Sequence, residues 1–219
     1  MSSNLNSSTD DDLPSISFST HLDRLMLRTH LPSDNEPMAA LLSSPSVMKH
    51  LPTLAPYDGW PPDRPKGSWL ISDMAARAAV HHQTRRETRS CVLYIVTKDT
   101  GDFLGSTGFV RMEPAGTPGR KAELGIILTV DEKWARRGYA TEAMHGSVKY
   151  AFEELEGVAV ITIVTDILNE EMRGWADKVA GLKVKEVIDD SVWYSFTRVE
   201  WEDKGGVCER LEIKLDKYR

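Results

Sequence analysis

With 219 residues, 41% of them hydrophobic and 27% charged, the chain is long enough to bury a proper core and has the composition of a soluble globular domain. Acidic residues number 33 against 27 basic ones, and the net charge of −6 argues against a nucleic-acid-binding surface as the main business. No apolar run is long enough to span a membrane and no signal-peptide core opens the sequence, so a cytoplasmic protein is expected. The two cysteines, Cys91 and Cys208, show neither metal spacing nor a disulfide framework, and read as small apolar residues in a reducing compartment rather than as nucleophiles.

Residues 1–17 are rich in Ser, Asn and Asp and predict a flexible tail. Over residues 21–29, Leu25 and Leu27 alternate against Arg24, Met26 and Arg28 as in a strand. Ser33, Asp34, Asn35 and Glu36 have the form of a capping box, with Pro37 tolerable in a first turn, which predicts a helix over 34–42. Residues 51–67 contain Pro52, Pro56, Pro61, Pro62 and Pro65 and must form a long loop, in which Tyr57 and Trp60 favour an ordered wall. Residues 69–82 are helical in character. Their end brings His81 and His82 together, but adjacent histidines point to different helix faces and have no carboxylate or cysteine at ligand spacing, so no metal site is expected. Residues 91–97 and 103–112 are strands joined by a hairpin connection over 98–102, with Gly105 and Gly108 marking bulges or close approach of another backbone.

Residues 122–130, A-E-L-G-I-I-L-T-V, are β-branched and apolar enough for a largely buried strand. After W-A-R-R-G-Y-A-T-E-A, residues 134–143, the apolar stripe Met144, Val148, Ala151 and Leu155 marks a helix. Gly138 can adopt positive φ, and Gly138 with Ala140 leaves room for close approach to the backbone. The first turn of a helix presents N–H groups without internal partners at the positive end of its dipole. Arg136, Arg137, Gly138, Tyr139, Ala140 and Thr141 therefore read as a pyrophosphate cradle, against the plainer alternative of a turn beside solvated arginines. No Lys-Ser or Lys-Thr follows the glycine, so a nucleoside-triphosphate loop is excluded. Residues 158–165 form the most apolar strand, 169–180 a helix stopped at Gly181, and 183–188 with 192–201 a final hairpin. Beyond residue 205, Val207, Leu211, Ile213 and Leu215 partly alternate and suggest an added strand, one way such domains pair, which leaves a homodimer open. The succession is a helix-rich half, an antiparallel meander, then strand–helix–strand with a parallel neighbour: an α/β (α+β) fold.

R-R-G-Y-A-T-E-A after a strand ending in L-T-V resembles motif A of the GNAT acetyltransferases. The likeness is closest to the branch containing the ribosomal-protein N-terminal-alanine acetyltransferases, whose opening D-R-L-x-L-R and residues 44–48 also resemble. It covers about residues 20–202, and so implies a domain over 18–203 between a tail (1–17) and an extension (204–219). The implied fold is a mostly antiparallel mixed sheet flanked by helices, with a splayed central strand pair. The implied activity is direct transfer of acetyl from acetyl-CoA to a primary amine, of a small molecule or a protein N-terminus, in a ternary complex. On this resemblance Leu128, Thr129 and Val130 offer main-chain contacts to pantetheine, residues 136–141 bind the diphosphate, and Asn169 hydrogen-bonds the carrier. Glu123 is the leading candidate for the base, against a carboxylate that only orients the amine or pairs with an arginine; Glu142 is expected to be structural. Tyr57 and Trp60 would border the acceptor pocket. The chain departs from the family pattern at Ala135, where Arg or Gln is usual, and at Met172 and Ala176, where relatives carry the hydroxyls proposed as acids. Tyr150 and Tyr194 are the remaining candidates for that acid. The competing reading is a catalytically weak acyl-CoA-binding module of the same fold.

Overall fold

A computed structural model describes residues 15–49, 51, 68–88 and 91–203. Eight strands form one sheet: β1 (Ser17–Ser19), β2 (Leu25–Arg28), β3 (Val92–Thr97), β4 (Phe103–Met112), β5 (Arg120–Leu128), β6 (Val158–Asp166), β7 (Val184–Ile188) and β8 (Ser191–Thr197). Their order is β1-β2-β3-β4-β5-β6-β8-β7, antiparallel throughout except between β5 and β6. Among the described residues six α-helices accompany them: α1 (Asn35–Leu42), α2 (Pro45–Met48), α3 (Ile71–Thr88), α4 (Tyr139–Glu154), α5 (Glu170–Gly174) and α6 (Arg198–Asp203). This is the predicted mixed α/β architecture.

Strand alternation divides the core between the two faces. Leu93 and Ile95 of β3 join Leu25, Leu27 and Ala143 of α4, whereas Tyr94 between them packs with Met38, Leu42, Trp69 and Met74 of the α1–α3 side. The main core lies under α4, where Met144, Val148 and Ala151 meet Phe109, Ala122, Leu124, Ile161 and Ile163. The stripe predicted for this helix is the one that is buried. Among the described residues no helix is long and apolar enough to cross a membrane.

Several boundaries differ from the sequence expectation, for local reasons. Ser17 opens β1 rather than closing the tail, and the strand expected over 21–29 shrinks to Leu25–Arg28, because Asp23 at φ 56 turns the chain back and donates its N–H to Thr20 O at 2.9 Å. The capping box is not the one at Ser33. Asp34 is buried, accepts the Leu31 N–H at 2.7 Å and receives both Nη1 and Nη2 of Arg28 at 2.7 Å, so a 3₁₀ turn, Pro32–Asp34, precedes α1. The strand expected over 192–201 ends at Thr197. There Glu200 Oε2 accepts from Thr197 N at 2.8 Å while Thr197 Oγ1 accepts from Glu200 N at 3.2 Å, a reciprocal cap that starts α6 and folds Trp201 onto Phe196. The helix expected over 169–180 is α-helical only through Gly174 and continues as a π-helical turn, Trp175–Val179. β5 begins two residues earlier than expected, at Arg120. Gly105 and Gly108 are points of close approach: a Cβ would lie 2.0 Å from Ile127 O at the first and 2.2 Å from Cys91 O at the second.

Arg120 is fully buried, and among the described residues no carboxylate pairs with it. It donates Nε to Glu113 O at 3.0 Å, Nη1 to Glu156 O at 2.7 Å, and Nη2 to Thr88 O, so one guanidinium ties together the end of α3, the β4–β5 connection and the α4–β6 connection.

Candidate active site

The parallel ladder between β5 and β6 is short, running from Arg120↔Val158 to Glu123↔Thr162. Beyond it β5 continues on β4 alone and β6 on β8 alone, so the sheet opens at its centre. The opening starts beside a bulge. Between the pairs Phe109↔Leu124 and Arg111↔Glu123, Val110 is the extra residue, and a bulge bends and twists its strand. Gly125 accommodates it, since a Cβ there would stand 3.1 Å from Val110 Cγ1.

A cleft of about 490 Å³ fills this region. Ile126, Ile127, Leu128 and Val130 form one side, Ala140 and Met144 of α4 the inner end, and Asn169, Met172 and Trp175 the other side, with Val47 and Leu51 contributing from the α2 region. The lining is mostly apolar and suits a narrow, flexible, weakly polar chain. Main-chain geometry sorts the predicted contacts of β5. Thr129 N–H donates to Leu104 O at 2.9 Å, so Thr129 is committed to β4, and antiparallel alternation turns Ile127 the same way. The N–H and C=O groups of Ile126 and Leu128 then face the opening. Of the three residues expected here, Leu128 is so placed and Val130 lines the cleft, whereas the Thr129 N–H turns to β4 and Ile126 faces the opening. The register of a strand whose pairing partner is unknown could not have told Ile126 from Thr129.

At the inner end Gly138 is the N-cap of α4 with φ 78 and ψ 7, the left-handed region that a glycine can adopt. Arg136 also has positive φ, 60. The first helical bond runs from Glu142 N–H to Gly138 O at 3.0 Å, so the amides of Tyr139, Ala140 and Thr141 have no acceptor inside the helix. Arg136 and Arg137 are exposed beside this turn. Thr141 contributes only main chain: its hydroxyl is buried and accepts the Trp175 indole N–H at 3.1 Å, which fastens the π-helical turn to the start of α4.

Glu142 is structural, as expected, but its partners were not foreseen. It is fully buried; Arg24 reaches Oε2 through Nε at 2.7 Å and Nη2 at 2.6 Å, and Thr20 Oγ1 donates to Oε1. Arg24 also donates Nη1 to Arg137 O at 3.0 Å and sits 4.6 Å from the Tyr139 ring centroid. Only the D-R-L opening of the resemblance hinted that Arg24 mattered.

Glu123 stands at the last parallel pair, where the strands part, on the face opposite α4. Its side chain is 16% exposed and pairs with Arg111 Nη1 at 3.2 Å. Asn169 lines the cleft as the N-cap of α5. Its Oδ1 accepts the Met172 N–H at 3.1 Å. Met172 brings no hydroxyl to the cleft, and Ala176 is buried in the core. Tyr194 lies in the core under α4, where burial raises its pKa, and Tyr150 stacks on Phe18 at 5.3 Å with its pKa raised by burial and the neighbouring Cys91 thiol. Neither lines the cleft among the described residues. Burial pushes the Cys91 thiol up to about 12, which keeps it un-ionised. Tyr57 and Trp60, expected to wall the acceptor pocket, lie outside the described residues.

Residues 24–180 match the family described as "Acetyltransferase (GNAT) domain". No curated protein matches the sequence. Among solved structures, a GCN5-related N-acetyltransferase from Brucella melitensis superposes with a TM-score of 0.66 at 17% identity, over 90% of this chain and 85% of that one. RimL, a ribosomal L7/L12 alpha-N-protein acetyltransferase, gives 0.61 at 13% identity over 84% and 94%. The microcin C7 self-immunity acetyltransferase MccE, in complex with acetyl-CoA and AMP, gives 0.59 at 14% over 80% and 93%. At such identities these likenesses speak for the fold alone.

Proposed function

Because the chain belongs to the GNAT acetyltransferase family, we propose that it transfers an acetyl group from acetyl-CoA to a primary amine, of a small molecule or a protein N-terminus, within a ternary complex. The observation that carries this is the junction of two features: a central strand pair that parts after Glu123, and a helix start bent by Gly138 at the inner end of the resulting cleft. Pantetheine lies in the cleft against the main chain of Ile126 and Leu128, with Asn169 Nδ2 as a further donor. The diphosphate takes the amides of Tyr139, Ala140 and Thr141, and Arg136 and Arg137 add positive charge at the rim.

Catalysis then needs a deprotonated amine beside the thioester. Glu123, directly or through a water, takes a proton from the acceptor ammonium, displacing Arg111 from its carboxylate. The amine nitrogen attacks the thioester carbonyl, the nitrogen gives up its second proton to water, the C–S bond breaks, and the sulfur leaves as a thiolate. Met172 and Ala176 offer no acid, so water protonates the thiolate; a thiol of pKa about 8.5 tolerates this. Tyr57 and Trp60 remain the proposed wall of the acceptor site.

A thiol-release assay with acetyl-CoA over a panel of small amines and peptide N-termini tests this reading. Turnover with one class and little with the other assigns the acceptor. Failure to bind CoA at all overturns the assignment. A second reading, an acyl-CoA-binding module of low catalytic power, is favoured by the missing hydroxyls at Met172 and Ala176, and predicts CoA binding without turnover across the whole panel.

A further inference from the structure

Glu142 presents an electrostatic problem that the cradle must solve. A carboxylate in the first turn of α4 interacts well with the helix dipole, but it lies in the same turn as the amides proposed for a carrier's diphosphate, and like charges at short range oppose binding. Glu142 is fully buried, so solvent screens it little. Arg24 lies between these demands. It neutralises Glu142 through two nitrogens, donates its own main-chain N–H to Oε1 at 3.3 Å, holds the Arg137 carbonyl at 3.0 Å, and covers the Tyr139 ring. Arg137 and Tyr139 flank Gly138. One guanidinium therefore grips both sides of the left-handed bend while cancelling the charge beneath it.

We infer that Arg24, more than 110 residues earlier in the sequence, is the positioning residue of the diphosphate cradle: it fixes the bend at Gly138 and keeps Glu142 from repelling the carrier's phosphoryl groups. The inference rests on the acetyl-CoA reading of the cleft and goes beyond it, since Arg24 need not touch the carrier at all. Lysine in its place would keep the charge but lose the fork that reaches Glu142 and Arg137 together.

The test is calorimetric titration of the full chain with CoA and with pantetheine, which keeps the thiol arm and lacks the phosphoryl groups. Arg24→Ala is expected to weaken CoA about 10- to 100-fold, the size of one or two charge-assisted contacts, and pantetheine by no more than about threefold. Arg24→Lys falls between. The decisive variant is Arg24→Ala combined with Glu142→Gln, which removes the uncompensated carboxylate and is expected to recover at least about fivefold of the lost CoA affinity. Should Arg24→Ala not fold, Arg24→Lys with and without Glu142→Gln gives the same comparison. Equal losses for CoA and pantetheine, or a double variant no better than Arg24→Ala, would overturn the inference and leave Arg24 a scaffold residue. Failure of the unaltered chain to bind CoA would instead remove the reading on which it rests.

Discussion

Replacing Gly138 with alanine separates strain in the cradle from loss of contacts. Gly138 sits at φ 78 and ψ 7, where an L-residue is disfavoured by about 1–2 kcal/mol. No side-chain contact is removed, so the backbone conformation sets the expected cost. It can surface in two ways. If the substituted chain keeps the bend, unfolding free energy falls by about 1–2 kcal/mol, about 2–8 °C in Tm for a chain of this size, and CoA affinity is unchanged. If the bend relaxes in the unliganded protein, stability is kept and CoA must restore the strained turn, which weakens binding by up to about 30-fold. The two losses, measured by denaturant unfolding and calorimetry, should sum to about 1–2 kcal/mol whichever way they divide. Gly138→Asn, which tolerates the left-handed region and can cap the helix, should recover most of the sum. A total below about 0.5 kcal/mol, or asparagine no better than alanine, would show that the amides of α4 do not depend on this bend.

Three further expectations follow from the same geometry. Glu123→Gln should lower turnover by at least about 100-fold while CoA affinity stays within about twofold; equal losses in both would show a structural carboxylate. Trp175→Phe and Thr141→Val each remove the 3.1 Å indole–hydroxyl bond, at about 1 kcal/mol apiece, and combined they should cost clearly less than the sum, since both delete one interaction; additivity would mean the bond contributes nothing. His81 is held at about 4 by burial, then by Arg77 and His30, and His145 at about 4 by burial, then by His21 and Lys149. Both fold as neutral imidazoles, so the unfolded chain binds more protons below 6.5, and stability is full above pH 6.5 and declines as pH falls toward 4. Thermal midpoints against pH should show that decline, and His81→Gln with His145→Gln should flatten it; an unchanged slope would assign the decline to other groups.

Legibility in the sequence tracked the range of the interactions. The stripe of α4, the hairpin across residues 98–102 and the left-handed Gly138 are set by neighbours within a few positions, and each was readable. The Thr197-x-x-Glu200 cap was equally local; the apolar residues Val199 and Trp201 continued the strand pattern and hid it. What no window shows is the pairing of distant segments. Whether Ile126 or Thr129 faces the cleft depends on register with β4, the opening depends on a bulge at Val110, and the partner of Glu142 comes from the turn before β2. The resemblance supplied the order of elements and pointed to the Gly138 bend, but not these contacts between distant segments.

Arg120 gives the cleft a pivot. Its three carbonyl ligands meet at the closed end of the β5–β6 ladder, beside the Arg120↔Val158 pair, while the cleft is lined by the far end of β5. From Glu123 to Leu128 the unsupported edge runs about 16 Å, at roughly 3.3 Å per residue. A swing of about 4° at the anchored end would thus carry Leu128 sideways by about 1 Å, comparable to the misplacement that separates good from poor alignment of reacting atoms. On the acetyl-CoA reading proposed above, substitutions that shift Thr88, Glu113 or Glu156 should therefore alter how the cleft holds its carrier, from the opposite end of the strand.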